Sequence, residues 1–217
     1  MKFKYLIILI AIASLVALYF LSLVSQPDLI SLSALPTYNG QQVIVQGVVT
    51  EYRITTYGSQ IITIRDIENS TNSVMLYIEG EVSVEYGDTI QAIGEVQQYQ
   101  EQWEVSVNNP QFVTILQKWN NQKFPLWQLA ENPGKYLGTN VNVTGIVTQK
   151  HESSFSLTDA EGKYSIDVSY DSSCPYQFSK DDSVAVAGRF IYETKTFQYV
   201  LKATESTHGI WKLDGEG

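Results

Sequence analysis

Gln42-Val43-Ile44-Val45-Gln46-Gly47-Val48-Val49-Thr50 and Asn140-Val141-Asn142-Val143-Thr144-Gly145-Ile146-Val147-Thr148 are two versions of one stretch of sequence. In both, valine recurs at every second position around a central glycine, and both end in Val-Thr. This alternation is typical of a β-strand with one face buried and the other facing solvent. The repeat indicates that the chain contains two similar domains.

The repeat continues beyond these strands, over residues 35–116 in the first copy and 129–206 in the second. Acidic, glycine and aromatic positions follow in the same order in both copies, so the similarity is not confined to one strand. The matching positions are Asp66 with Asp159, Gly87-Asp88 with Asp181-Asp182, Gly94 with Gly188, and Trp103 with Phe197.

Each copy contains five alternating runs separated by turn residues. Five strands per copy predict an all-β chain of two tandem five-stranded OB-fold (Greek-key) barrels, in which the mid-strand glycines allow tight coiling. An immunoglobulin-like sandwich usually needs about seven strands and about 100 residues, which neither copy has. The predicted strands are 43–53, 60–66, 73–78, 89–98 and 103–107 in the first copy, and 140–149, 154–158, 164–170, 183–192 and 196–204 in the second.

The composition along the chain predicts five segments. The polar segment between the copies is predicted to be a short tether rather than a packed element. The segments are a membrane anchor at 1–25, a first OB domain with its lead-in at 26–116, a linker at 117–124, a second OB domain at 125–208, and a C-terminal tail at 209–217.

The first 25 residues predict the location of the chain. Lys2 and Lys4 precede residues 5–25, which are uncharged, mostly apolar and long enough to cross a hydrocarbon core of about 30 Å as a helix. A cleaved signal peptide is the alternative. By the positive-inside tendency, the N-terminus is expected in the cytoplasm and the barrels outside it. The expected partners are therefore the membrane, through residues 5–25, and other membrane or envelope proteins.

The charge of the chain disfavours nucleic acid as a partner. The sequence has 14 Lys and Arg against 23 Asp and Glu, which gives a formal net charge of −9. It contains no cluster of three or more Lys or Arg residues. Proteins that bind a phosphate backbone usually present a basic stripe. The one cysteine, Cys174, allows no internal disulfide.

Tyrosines and tryptophans alternate with polar residues in several strands. On the open face of an OB barrel such rings can stack on bases or sugars. They can equally be ordinary strand residues, because aromatic residues favour strands. Without basic neighbours they suit a neutral ligand or a protein surface better than a nucleic acid. The candidates are Tyr52, Tyr57, Tyr77, Tyr99 and Trp103 in the first copy, and Tyr164, Tyr170, Tyr192 and Tyr199 in the second.

Catalytic patterns are absent from the sequence, so we expect a protein that is not an enzyme. The acidic groups at Glu79, Glu81 and Glu85 and at Asp181-Asp182 lack the spacing of a calcium loop and are expected to be solvated turn charges. His151 and His208 are too far apart in sequence to suggest a zinc cluster.

The second copy carries four motifs in order: Phe155-Ser156-Leu157-Thr158-Asp159, Val168-Ser169-Tyr170, Pro175-Tyr176-Gln177-Phe178 and Val184-Ala185-Val186-Ala187-Gly188. Over roughly residues 138–208 it resembles the haem chaperone of cytochrome c maturation. That family consists of anchored, extracytoplasmic single OB domains. The resemblance implies covalent haem attachment through a histidine just after the last strand, within His-x-x-x-Tyr. Here His208 stands at that place, with Trp211 and Lys212 where the tyrosine would fall.

These observations lead to three hypotheses of function. The leading one is a membrane-anchored, extracytoplasmic tandem OB-fold binding or carrier protein that handles haem in cytochrome c maturation. Its cofactor-binding residues would be His208 as ligand, with Trp211, Phe197 and Tyr199 as an apolar platform. The second is a structural or protein-interaction module of an envelope or membrane complex, without a cofactor. The third, single-stranded nucleic-acid binding, is opposed by the charge.

Overall fold

The computed structural model describes residues 2–24, 27–171 and 177–213. A helix, α1 (Lys2–Val24), forms within the predicted anchor. In the described part of the chain, no helix combines the length and the apolar character that crossing a membrane requires. The membrane anchor predicted for residues 1–25 is therefore not supported, and Met1 and Ser25 lie outside the described residues.

Strands make up most of the remaining chain, and each predicted strand is present to within two residues at either end. The first copy contains β1 (Asp28–Leu29), β2 (Gln42–Ile54), β3 (Gln60–Arg65), β4 (Ser73–Ile78), β5 (Thr89–Tyr99), β6 (Gln102–Val107) and β7 (Val113–Gln117). The second contains β8 (Phe124–Pro125), β9 (Asn140–Lys150), β10 (Ser154–Thr158), β11 (Ser165–Tyr170), β12 (Ser183–Glu193), β13 (Gln198–Ala203) and β14 (Gly209–Lys212).

The first barrel is a closed ring of five strands. β2 pairs antiparallel with both β3 and β5, and β4 pairs parallel with β6. The order around the ring is β2-β3-β4-β6-β5 and back to β2. This is the strand order of a five-stranded OB barrel.

The second barrel repeats this arrangement. β9 pairs antiparallel with β10 and β12, and β11 pairs parallel with β13, which gives the ring β9-β10-β11-β13-β12. The prediction of two tandem five-stranded OB-fold barrels is confirmed. Within the predicted C-terminal tail, β14 pairs antiparallel with the start of β12, so part of that segment belongs to the sheet.

The mid-strand glycines are explained by close approach of neighbouring strands. A Cβ added to Gly47 would lie 2.7 Å from the carbonyl oxygen of Arg65 on β3, and one added to Gly145 would lie 2.7 Å from that of Thr158 on β10. The obstacle is backbone in both cases, so a side chain cannot be accommodated by rotating a neighbour.

Short helical segments precede both barrels and contribute to both cores. A 3₁₀ helix, Leu32–Tyr38, inserts Leu32 and Leu35 into the first core. Helix α2 (Leu126–Glu131) inserts Leu126 and Leu129 into the second, and α3 (Pro133–Tyr136) follows it. The same three-residue spacing of leucines recurs, so the repeat includes the lead-in segments as well as the strands.

The segment between the barrels is packed. Trp119, within a 3₁₀ turn at Trp119–Asn121, is only 6% exposed. Its backbone N–H and the Lys118 ammonium both donate to the fully buried carboxylate of Asp88, at 3.2 and 2.9 Å. The predicted free tether is therefore a fixed connection, because the buried carboxylate holds it against the first barrel.

Direct contacts also join the two barrels. The Arg65 guanidinium donates to the carbonyl oxygens of Leu137 and Lys135, at 2.9 and 2.6 Å. The backbone N–H of Asn140 donates to the carbonyl oxygen of Tyr86 at 3.2 Å. These bonds, together with Trp119, define what we call the junction.

Candidate functional site

A groove of about 880 Å³ crosses the outside of the first barrel. It lies over β3 and β4 and between the β2–β3 and β5–β6 hairpin ends, which is the face through which OB folds commonly bind ligands. We call it the tyrosine groove. Its lining residues are Arg53, Ile54, Thr55, Thr56, Tyr57, Ile61, Met75, Tyr77, Gln97, Tyr99, Gln100, Gln102 and Glu104.

Strand register places these side chains on one surface. Ile61 is paired with Tyr77 across β3 and β4, and Met75 is paired with Glu104 across β4 and β6. Glu104 is in turn paired with Gln97 on β5. Since directly paired residues share a face of the sheet, all five point away from the core, whose side chains come from the alternate positions.

Two of the groove tyrosines are strongly exposed, and the third is held in place. Tyr57, at the tip of the β2–β3 hairpin, is 94% exposed, and Tyr99 is 57% exposed. The hydroxyl of Tyr77 is hydrogen-bonded to the hydroxyl of Ser59 at 2.9 Å. The groove thus combines a fixed ring with two rings that project into solvent.

The charged groups of the groove are few. Arg53 is the one cation and Glu104 the one carboxylate among its described lining residues. Glu104 is only 8% exposed and accepts a hydrogen bond from the Gln97 amide at 2.6 Å. Rings, amides and one charge of each sign can hold a ligand by stacking and hydrogen bonds.

The predicted cofactor ligand His208 lies at the junction. Its side chain has no exposed surface. Nδ1 accepts a hydrogen bond from the backbone N–H of Glu205 at 3.2 Å, and Nε2 lies 3.8 Å from the Glu205 carboxylate. Burial lowers the pKa of His208, and Arg189 acts in the same direction, while the Glu205 and Glu85 carboxylates oppose them.

The other three predicted cofactor residues are divided between two places. Trp211 is on β14, half exposed, with its ring over Gly209. Phe197 and Tyr199 line a separate cavity of about 510 Å³ on the second barrel, which neither His208 nor Trp211 lines. Two residues of the resemblance motif, Pro175 and Tyr176, lie outside the described residues.

We call this cavity the aromatic pocket. The Tyr199 ring is stacked on the buried Phe190 ring, with centroids 5.2 Å apart and planes inclined by 20°. Tyr192 meets Tyr199 edge to face, also at 5.2 Å. The lining residues are Leu126, Leu129, Ala130, Pro133, Ser165, Ile166, Asp167, Phe190, Tyr192, Phe197, Gln198 and Tyr199.

The junction gathers polar groups, of which the sequence drew attention only to Glu85 and His208. The Arg189 guanidinium lies 3.5 Å from the centroid of the Tyr86 ring, and the Trp119 indole N–H donates to Glu85 at 2.5 Å. Within the described part of the chain, four buried side-chain atoms make no hydrogen bond: Oδ1 of Asn140 and Oδ1 of Asn142 on β9, Nε of Arg189 on β12, and Nε2 of His208.

A metal centre is not formed by the part of the chain that the structure describes. No three His, Cys, Asp or Glu side chains there come close enough together to hold an ion.

Sequence reasoning identified the three groove tyrosines but not their neighbours. Arg53, Gln97 and Gln102 were not predicted, because they are polar strand residues without an aromatic ring. The signal that could have found them is strand parity, since each lies at an outward position of a strand beside a hairpin end.

No protein-family model matches the chain, and no curated protein matches its sequence. Similar solved structures include the OB domain of a protein from Methanosarcina mazei, with 20% identity over 42% of this chain and 84% of that one and a TM-score of 0.34. The second OB-fold domain of replication protein A from Methanococcus maripaludis shares 20% identity over 37% of this chain and 88% of that one, with a TM-score of 0.27.

Asparaginyl-tRNA synthetase from Pyrococcus horikoshii shares 19% identity over 38% of this chain, with a TM-score of 0.32, and the match spans only 21% of that enzyme's chain. Similarities this low carry no argument about function. The assignment of the OB fold to this chain rests on the strand order of its own two barrels.

Proposed function

We propose that this chain is a protein-binding module that acts without a cofactor and without catalysis, and that the tyrosine groove is its interface. The observation that carries the proposal is the composition of the groove. Tyrosine, methionine and arginine are residue types enriched in protein interfaces, and of the types depleted there, which are lysine, glutamate, aspartate, serine and alanine, the described lining contains only Glu104.

The arrangement of the groove supports the same proposal. Tyr57 and Tyr99 are large side chains with few rotatable bonds, and both project from hairpin ends into solvent. Such rings supply binding energy at low cost in conformational entropy, and buried tyrosines are common hot spots of interfaces. Ile54, 57% exposed beside them, adds apolar surface that a partner can cover.

Single-stranded nucleic acid is the second candidate. The exposed rings of Tyr57 and Tyr99 favour it, since bases stack on such rings in other OB folds. Electrostatics oppose it, because Arg53 is the only cation in the described lining and the chain carries a net charge of −9. A phosphate backbone releases bound counterions only where cations replace them.

The location of the module is a separate proposal. Residues 5–25 supply its support: they are uncharged and mostly apolar, as expected for a segment that associates with a membrane and leaves the barrels outside the cytoplasm. Fractionation of cells that make the full chain, or a chain lacking residues 1–26, tests it. Recovery of both chains in the soluble fraction would refute the proposal.

Site-specific photo-crosslinking tests the protein-binding proposal. A photoreactive phenylalanine analogue replaces Tyr57 in cells that make the protein naturally, and Leu116, 48% exposed on β7 outside the groove lining, serves as the matched control position. We expect a discrete protein adduct from position 57 and none from position 116. The same adduct from both positions, or none from either, would contradict the proposal.

An oligonucleotide measurement separates the two candidates. Fluorescence anisotropy with a labelled oligothymidylate is measured at low salt, where electrostatic attraction is least screened. We expect no saturable binding by the wild-type chain. Saturable binding that is lost on replacing Tyr57 and Tyr99 by alanine would make nucleic acid the ligand of the groove.

A further inference from the structure

Phe197 combines two features that stability alone does not explain. It is 78% exposed, and its backbone φ is +56°, in the left-handed region. Bulky residues rarely adopt this conformation, and an aromatic ring gains little from remaining in water. Residues held in unfavourable conformations concentrate at functional sites, which makes Phe197 a candidate.

The corresponding hairpin of the first barrel has no such ring at its turn. Trp103 is the second residue of β6, as Tyr199 is of β13, so the match of Trp103 with Phe197 expected from the sequence is wrong. The two left-handed residues between β5 and β6 are Gln100 and Glu101, both polar. A positive φ at this turn is therefore compatible with ordinary turn residues, and glycine adopts it without strain. The aromatic side chain at position 197 needs a reason other than the geometry of the turn.

The surroundings of Phe197 supply that reason. Phe197, Tyr192 and Tyr199 line the aromatic pocket, and the pair Tyr192–Tyr199 forms two walls at a steep angle, 65°. Phe190 backs Tyr199 from the core side. A cavity of about 510 Å³ lies within the range of small-molecule sites.

The charge of the pocket selects the sign of its ligand. Asp167 is the only charged residue among the described lining residues, and it is exposed. Its Oδ1 accepts one hydrogen bond, from the Ser156 hydroxyl at 2.8 Å, which leaves acceptor capacity on the carboxylate. The faces of aromatic rings carry negative electrostatic potential, so rings and carboxylate act in the same direction.

We propose that the aromatic pocket binds an organic cation of the quaternary ammonium class, with its charge over the rings of Tyr192, Phe197 and Tyr199 and balanced by Asp167. Alkylated ammonium groups suit such a site because they are large, apolar at the surface and weakly hydrated, and aromatic cages recognise them in this way. Ca²⁺ takes six to eight oxygen ligands, largely from carboxylates, and Asp167 is the only carboxylate among the described lining residues.

This site is distinct from the tyrosine groove, and the proposal does not depend on the function proposed for that groove. None of the residues that carry the cation proposal lines the groove. Failure of the crosslinking experiment at Tyr57 would therefore leave the aromatic pocket untouched.

The test compares two ligands of the same shape. Choline and 3,3-dimethylbutan-1-ol differ in that a quaternary nitrogen replaces a quaternary carbon, so only the charge changes. Each is titrated into the full chain while the backbone amide signals of Phe197 and Tyr199 are followed by heteronuclear NMR. We expect saturable shifts with choline and about two- to fivefold weaker binding of the neutral alcohol, in line with the cation–π contribution of rings that are partly exposed.

Three variants separate binding from folding. F197G relieves the left-handed strain and is expected to leave the Tm unchanged or higher while abolishing choline binding. D167N is expected to weaken choline binding several-fold and to leave binding of the alcohol unchanged. E101G, which relieves the same backbone conformation in the first barrel, is the matched control and should bind choline as the wild type does. Equal binding of the two ligands, or no binding of choline, would overturn the proposal.

Discussion

The rings of Trp119 and His208 meet at the junction at nearly a right angle, 89°, with their centroids 6.0 Å apart. Trp119 comes from the segment between the barrels, whereas His208 lies just before the last strand of the second barrel. Because Nδ1 of His208 accepts a hydrogen bond from a backbone N–H, the neutral ring carries its proton on Nε2. The packing of the two barrels thus includes a buried, neutral histidine.

Mild acid is expected to destabilise the chain through His208. The pKa of His208 is lowered in the folded state, chiefly by burial, so the unfolded chain binds a proton first as the pH falls. By linkage, stability is then fully present above the unfolded pKa of about 6.5 and is lost as the pH falls below it towards the folded pKa. Unfolding in urea at pH 7.5 and at pH 5.5 measures the loss.

Two histidine variants identify the group responsible. His208→Gln should flatten the dependence of unfolding free energy on pH between these values. His151→Gln, at an exposed position, should retain the wild-type slope. Measurements stay above pH 5. The pKa of Asp182 is lowered, so protonation of this carboxylate affects the free energy of unfolding only in more acidic solution. A wild-type slope in His208→Gln would show that another group titrates.

Trp119→Ala is expected to lower the free energy of unfolding by about 3–5 kcal/mol, the usual cost of truncating a large buried aromatic residue. Its ring is 6% exposed and its indole N–H is bonded to Glu85. Trp127→Ala, which truncates a ring that is 46% exposed on α2, should cost less than about 1 kcal/mol. Chemical denaturation measures both free energies of unfolding. A loss in Trp119→Ala as small as that in Trp127→Ala would mean that the junction contributes little to stability.

The strands could be predicted because their determinant is local. Period-two alternation and turn residues are read directly from neighbouring positions, and Gly47 and Gly145 mark where two strands approach. The burial of Trp119 and His208 could not be predicted, because both are covered by residues of the other barrel or of the connecting segment. Because their sequence neighbours are polar, Trp119 was predicted to lie in a tether between the barrels, and His208 was next to the predicted C-terminal tail.

The candidate sites also contain residues that could be predicted from local sequence and a grouping of residues that could not. Tyr57, Tyr77 and Tyr99 could be selected because they alternate within strands or stand at hairpin ends. Phe197 and Tyr199 were selected as a platform for His208, and the structure brings the two rings together without the histidine. The distance between β14 and the β12–β13 hairpin depends on how the barrel closes, which sequence spacing does not report.

Gly47→Ala is expected to destabilise the chain by about 1–3 kcal/mol, as overpacking commonly does. The new Cβ would lie 2.7 Å from a backbone oxygen of β3, so the strands must separate to admit it. Gly134→Ala is the control, because nothing lies within 4 Å of its added Cβ and alanine favours the helix α3 by up to about 1 kcal/mol. Thermal unfolding compares the two, and equal Tm values would contradict the close approach of β2 and β3.

The burial of His208 predicts that this residue does not bind haem iron. An axial ligand must present a ring nitrogen to the iron, but the His208 side chain has no exposed surface and its Nδ1 is already hydrogen-bonded. A titration of the full chain with haem, followed by visible spectroscopy, is therefore expected to give no saturable Soret band that depends on His208. The comparison with His208→Ala decides the matter, with His151→Ala as the control at an exposed position. A band that is present in the wild type and in His151→Ala but lost in His208→Ala would show that the junction opens to admit haem, and would favour a carrier over a module that binds protein alone.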